Sequence, residues 1–122
     1  VSQDTGGDSA FFLQYSGPAR RWAMSFAGLR ALSPEEPEPD RWYHLTGVRD
    51  ASAGTLSLYV DGEQVATRNA CTAEGSAGAT VIGRGQYGGQ EVDHLTGAVD
   101  DVRLFDRALS ESEVARLAAT DD

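Results

Sequence analysis

The residues best suited to recognition chemistry stand close together in one stretch, RGQYGGQEVDH, which brings Arg84, Gln86, Tyr87, Gln90, Asp93 and His94 within eleven positions. A sugar ring has apolar faces and a hydroxyl edge, so a site for it combines an exposed aromatic with planar polar groups. This stretch holds both, with Tyr87 as the stacking side chain and Arg84, Gln86, Asp93 and His94 as hydrogen-bonding groups. The competing reading is a polar loop that meets only water. The second feature is Asp100-Asp101, at the entrance of an alternating segment, where a carboxylate either binds a ligand or accepts backbone N–H bonds. Arg103 shares the side of Asp101, which points to an ion pair.

Other chemistry is poorly served. GRGQYG, Gly83 to Gly88, satisfies G-x-G-x-x-G, but no helix pattern follows to present N-terminal amides to a phosphate. His44 and His94 lie far apart in sequence, which is weak support for zinc. Cys71 is the single cysteine, so no internal disulfide and no multi-cysteine zinc site can form. DTGGD, Asp4 to Asp8, lacks the alternating carboxylates of an EF-hand loop and reads as a turn.

These residues need a framework, and the hydrophobic periodicity describes one made of strands. Short alternating segments are separated by Gly, Asp, Asn and Ser clusters, as in antiparallel sheets with one buried face. Phe11, Leu13 and Tyr15 share one side of a first strand. After the turn SGPAR, Trp22, Met24 and Phe26 share one side of its hairpin partner. LSPEEPEPD carries three of the four prolines and four carboxylates, so it is a solvated loop. RWYHLTGVRD and TLSLYV follow, the second pointing Leu56, Leu58 and Val60 one way and Ser57 and Tyr59 the other. Tyr59 is thus expected on a solvated sheet face, and Trp42 in core or sheet-end packing. Asp61-Gly62 is a two-residue hairpin signal, and EQVATRNA returns from it. TVIGRG and LTGAVDDVRLFDR read as later strands. One helix is expected near the C-terminus: Ser110 and Glu113 make a capping box, Leu109 and Val114 a hydrophobic staple, and the helix clips onto the sheet's end.

Composition narrows the partners. The 122 residues carry 19 acidic and 10 basic side chains, a net charge of −9. So acidic a surface has little to offer nucleic acid or an anionic membrane. No apolar run approaches the about 20 residues of a membrane span.

WYHLTGVRD, TLSLYVDGEQVAT, TVIGRG and GAVDDVRLFDRALSESEVARL, in that order, resemble the laminin G-like, concanavalin A-like jelly-roll modules of secreted bacterial proteins. The resemblance covers nearly the whole chain, 1–122, as one domain. It implies a two-sheet antiparallel β-sandwich, appended to a larger secreted or cell-surface protein, that binds carbohydrate or another protein without catalysis. It also implies a structural calcium ion with Asp100 among its ligands. Such modules begin with a further strand or two, so an upstream segment or a second chain is expected to complete the sheet. Laminarinase-type glycosidases of similar fold place their catalytic carboxylates as E-x-D-x-x-E. Here Glu91 and Asp93 match, but Thr96 stands at the second glutamate, and a hydroxyl cannot replace a carboxyl group in glycoside hydrolysis. The expectation is a non-enzyme.

Overall fold

The structure is a computed structural model that describes residues 1–5, 9–26, 29–69, 80–92 and 94–119. Among the described residues, alternation of apolar and polar residues yields ten strands, β1 Ser2–Gln3, β2 Phe11–Ser16, β3 Arg21–Phe26, β4 Leu29–Leu32, β5 Leu45–Asp50, β6 Thr55–Val60, β7 Glu63–Asn69, β8 Thr80–Val81, β9 Gly85–Tyr87 and β10 Gln90–Val92. One helix follows, α1 Glu111–Ala119. The strands form a five-stranded sheet in the order β4-β3-β2-β1-β8, a three-stranded sheet β5-β6-β7 and a hairpin β9-β10, with antiparallel pairing in each.

The two larger sheets pack face to face because each strand points one row of side chains inward. In β2 and β3 the register sets Phe11 opposite Phe26, Leu13 opposite Met24 and Tyr15 opposite Trp22, which is the pairing the alternation demands. Met24 and Ala31 from this sheet meet Leu56 and Leu58 from β6, and Phe11, Leu13, Trp22, Phe26, Val60, Val65 and Ala66 surround them. Arg49 lays its guanidinium 4.5 Å from the centre of the Phe26 ring, between the sheets. At the sandwich edge Arg68 Nη1 donates to the Arg30 carbonyl at 3.1 Å, tying β7 to β4.

The opposite face of the three-stranded sheet is also covered, and this corrects one expectation. Tyr59 is not on a solvated face: only 5% of it is exposed, within a second core of Val48, Leu109 and Val114 that Ala108 and Leu117 extend. The helix therefore lies on the sheet's outer face, against the end where β6 turns into β7. The cause is the Asp61-Gly62 turn, whose backbone φ angles are 52° and 85°. Both residues sit in the left-handed region that a type I′ turn requires. A Cβ on Gly62 would come 3.1 Å from Ala118 Cβ and 3.3 Å from Ala115 Cα, so the bare backbone lets α1 approach. Burial, followed by the nearby Glu111 carboxylate, raises the pKa of the Tyr59 phenol.

The helix begins as the capping box predicts. Glu113 N–H donates to Ser110 Oγ at 3.2 Å, and Ser110 N–H donates to Glu113 Oε1 at 3.0 Å. Arg107 then grips both oxygens of Glu113, at 2.9 and 2.6 Å. The Arg107 hydrogen bonds, with the Ser110 backbone second, lower the Glu113 pKa from 4.5 to about 2. Because the folded-state value lies below the unfolded one, this cap contributes in full above pH 4.5 and is lost as the pH falls through about 2. A carboxyl titration of Glu113 followed by NMR is expected to have its midpoint near 2; a midpoint near 4.5 would mean the fork with Arg107 does not form in solution.

Three further differences concern the ends of the chain's pattern. LTGAVDDVRLFDR forms no strand: residues 95–107 pair with no ladder among the described residues. TVIGRG is not one strand: Thr80 and Val81 form β8 beside the very short β1, and Gly85 opens β9. Trp42 is 67% exposed instead of packed, because it stands in the irregular segment before β5. Strand β4, by contrast, arises where no alternation was apparent, zipped onto β3 by pairs such as Met24 with Ala31.

Candidate functional site

The stretch RGQYGGQEVDH folds as a hairpin of its own. Gly88 and Gly89, at φ 60° and 78°, supply the two left-handed residues of the turn, and Tyr87 pairs with Gln90, Gln86 with Glu91 and Gly85 with Val92. Gly-Gly between short β-prone runs is itself a hairpin signal, so the element was open to detection.

The base of this hairpin is bound to the N-terminal strand region. Arg84 makes a two-pronged contact with Asp4, Nη1 to Oδ1 and Nη2 to Oδ2, both at 3.1 Å, and its Nε reaches Glu91 Oε2 at 2.8 Å. The Asp4 hydrogen bonds raise the guanidinium pKa further above its ordinary value. Ser2 Oγ donates to the Arg84 carbonyl at 2.6 Å. Gln86 is engaged on both sides: its N–H donates to Ser9 Oγ at 2.8 Å, its carbonyl accepts from Ser9 N–H at 2.7 Å, and its side-chain Oε1 accepts from Thr5 N–H at 3.0 Å. Gly85 lies against the Phe12 ring, on the face of the five-stranded sheet turned away from the sandwich core; a Cβ there would come 2.7 Å from Phe12 Cδ1 and closer still to Cε1.

The residues expected to contact a ligand are therefore divided by their bonding. Arg84 and Gln86 spend their polar groups on Asp4, Glu91, Thr5 and Ser9. Tyr87 stands clear at the turn with 69% of its surface exposed, and Gln90 and His94 are exposed beside it in sequence. Asp93 lies outside the described residues, as do Asp8 and Cys71. The anchors Asp4 and Ser9 were missed, since partners about eighty residues apart in the chain have no local signature.

A second aromatic group forms at another place. Trp22 lies edge-on between Tyr15 and Tyr43, with centroids at 5.7 and 5.5 Å, and Arg41 stacks 4.5 Å from the centre of the Tyr43 ring. The Trp22 Nε1 donor is buried without a partner. LSPEEPEPD wraps this group: Ser33 Oγ accepts from Trp22 N–H at 3.1 Å and Tyr43 Oη accepts from Glu38 N–H at 2.8 Å. Arg41 also meets Asp61 at 3.1 Å, so the cluster is joined to the turn beneath α1.

Asp100 is exposed and Asp101 pairs with Arg103 at 3.0 Å. Among the described residues no three His, Cys, Asp or Glu side chains gather in a way that would hold a metal ion. Calcium takes six to eight oxygens, carbonyls and waters included, so a site at Asp100 would draw on donors besides side-chain carboxylates. No helix among the described residues is long and apolar enough to cross a membrane.

Two facing antiparallel sheets, a hairpin docked on one and a helix on the other define a concanavalin A-like β-sandwich. The family model of the concanavalin A-like lectin/glucanases superfamily matches residues 1–115, and the chain belongs to that superfamily. No curated protein matches the sequence. Among solved structures, the chain is similar to residues 221–444 of an S-layer domain-containing protein from Clostridium thermocellum, with a TM-score of 0.58 and 23% identity. That likeness covers 98% of this chain and 66% of the other, and it concerns the fold.

Proposed function

We propose that this chain is a non-catalytic recognition module that binds a neutral carbohydrate at the β9–β10 hairpin. The observation that carries this reading is Tyr87, an aromatic ring 69% exposed at the tip of a hairpin whose base is held by Arg84. A ring held out on a rigid support stacks on a sugar face at small entropic cost. Gln90, Asp93 and His94 follow in the chain as hydrogen-bonding groups, and Arg84 and Gln86 act by fixing the hairpin. A net charge of −9 disfavours acidic glycans, which leaves neutral ones. Family membership supports a non-catalytic module, as does Thr96 in place of a second catalytic glutamate. The family and the likeness to an S-layer domain-containing protein support a cell-surface or extracellular setting.

A glycan array of neutral oligosaccharides tests the proposal. Tyr87→Ala is expected to weaken the best binder about tenfold, the equivalent of about 1.4 kcal/mol, while leaving the melting temperature unchanged. No glycan bound, or binding indifferent to Tyr87, would overturn it.

A second reading, a structural or protein-interaction module, is favoured by a different observation: Leu95, Val99, Val102, Leu104 and Phe105 are all 36% exposed or more.

A further inference from the structure

We infer that the β2–β3 end of the five-stranded sheet binds a compact dianion, a phosphate or sulfate group, through Arg20 at the turn and Arg21 and Arg30 beside it. The inference is independent of glycan recognition at Tyr87. It starts from an uneven distribution of charge: Ser9 to Pro34 holds three arginines and no acidic residue, although the chain carries 19 acidic side chains. Folding preserves the imbalance. Arg41, Arg84, Arg103 and Arg107 each meet a carboxylate, whereas Arg20, Arg21, Arg30 and Arg68 form no ion pair among the described residues.

Strand register gathers these cations. Ser16 stands opposite Arg21 and Ser25 opposite Arg30, so Ser16, Arg21 and Arg30 leave the sheet on one side, the face that also carries Phe12. Arg30 Nη1 donates to Ser16 Oγ at 3.3 Å, Arg20 N–H to the Ser16 carbonyl at 2.7 Å and Arg21 Nη1 to the Arg20 carbonyl at 2.9 Å. Arg68 Nη1, on the Arg30 carbonyl at 3.1 Å, brings a fourth charge to the edge at β4. All of these acceptors are neutral oxygens, so the bonds position the guanidiniums without cancelling their charge. Each guanidinium has five N–H donors, most of which stay available for a ligand. Arg20 and Arg30 are exposed, and Arg20 is held at φ 55°, a region that glycine enters freely and arginine does not. Grouped cations repel one another, and an oxyanion placed among them removes that repulsion while accepting charge-assisted, two-pronged hydrogen bonds. A dianion gains twice the Coulomb attraction of a carboxylate at the same distance. The rest of the surface limits the ligand's size. Screening over about 8 Å at physiological ionic strength hides the distant carboxylates from a compact group, whereas a polyanion extends past the patch and meets them. The ligand is therefore a single phosphate or sulfate, free or as the ester of a small molecule.

An NMR titration of the 122-residue chain at low ionic strength, following the arginine Nε–H signals, tests this with inorganic phosphate, inorganic sulfate, glucose 6-phosphate and acetate as probes. The expected result is saturable shifts at Arg20, Arg21 and Arg30 with dissociation constants on the order of 1 mM for phosphate and sulfate, weakened by sodium chloride, and at least about tenfold weaker binding of acetate. Arg20→Gln is expected to weaken phosphate at least about fivefold with the melting temperature unchanged, because the exposed Arg20 side chain makes no bond within the chain among the described residues. Arg30→Gln weakens it as well, and Tyr87→Ala leaves it as it is. Tighter binding of glucose 6-phosphate than of inorganic phosphate assigns the site to an ester, and the reverse order to the free anion. Several results would overturn the inference: no saturable shift by about 50 mM phosphate, shifts of equal size at Arg41, Arg84 and Arg107, acetate bound as tightly as phosphate, or an affinity indifferent to Arg20→Gln and Arg30→Gln.

Discussion

Leu56→Ala is expected to destabilise this protein by about 2 to 5 kcal/mol. Leu56 lies near the start of β6, the central strand of the three-stranded sheet, with none of its surface exposed. It fills the space between the sheets together with Met24, Ala31 and Leu58. Truncation removes buried methyl groups and leaves a cavity that two hydrogen-bonded sheets cannot easily close, because each is held at its own strand spacing. A domain of this size has about 5 to 15 kcal/mol of stability in total, so the loss consumes a large share of it. Thermal unfolding is expected to shift down by roughly 10 to 20 °C. Leu95→Ala is the matched control: Leu95 is 44% exposed, and the same truncation there is expected to cost under about 0.5 kcal/mol. Equal shifts for the two variants would refute the face-to-face packing.

The second large effect joins the scaffold to the site. Gly85→Ala adds a single carbon where the Phe12 ring already lies, within 2.7 Å of Cδ1. Three ring atoms are crowded at once, and a phenyl group packed on a sheet has few other rotamers to adopt. Either Phe12 turns out of its place or the hairpin rises from the sheet, at a cost of about 1 to 3 kcal/mol. Lifting the hairpin stretches the bonds from Arg84 to Asp4 and from Gln86 to Ser9, so the support beneath Tyr87 loosens. The expected result is faster amide exchange confined to residues 84–92 and weaker glycan binding, although no proposed contact residue is altered. Exchange unchanged in the hairpin, or raised equally throughout the molecule, would show that the docking at Gly85 does not hold it.

These effects depend on information at different ranges in the chain. The β2–β3 register, the Asp61-Gly62 turn and the helix start at Ser110 were legible because each follows from neighbours in sequence: side-chain alternation, positive φ at two adjacent positions, and a hydroxyl three residues before a carboxylate. The stretch around Tyr87 was legible as a concentration of recognition groups. Its own fold as a hairpin was signalled by Gly88-Gly89, but its polar composition is equally that of a loop.

The sequence by itself determined a β-rich chain with one capped helix, its main hairpins, which rows of side chains turn inward, and a polar and aromatic cluster at Arg84 to His94. Only the tertiary structure decided that Tyr59 lies beneath α1, that Trp42 is exposed, that Arg84 and Gln86 are occupied by partners near the N-terminus, and that residues 95–107 join no ladder among the described residues. The reason is physical. Periodicity specifies the direction in which a side chain leaves its own strand, whereas burial and ion pairing depend on what arrives from elsewhere in the chain, and Asp4 meets Arg84 across eighty residues that carry no local trace of the encounter.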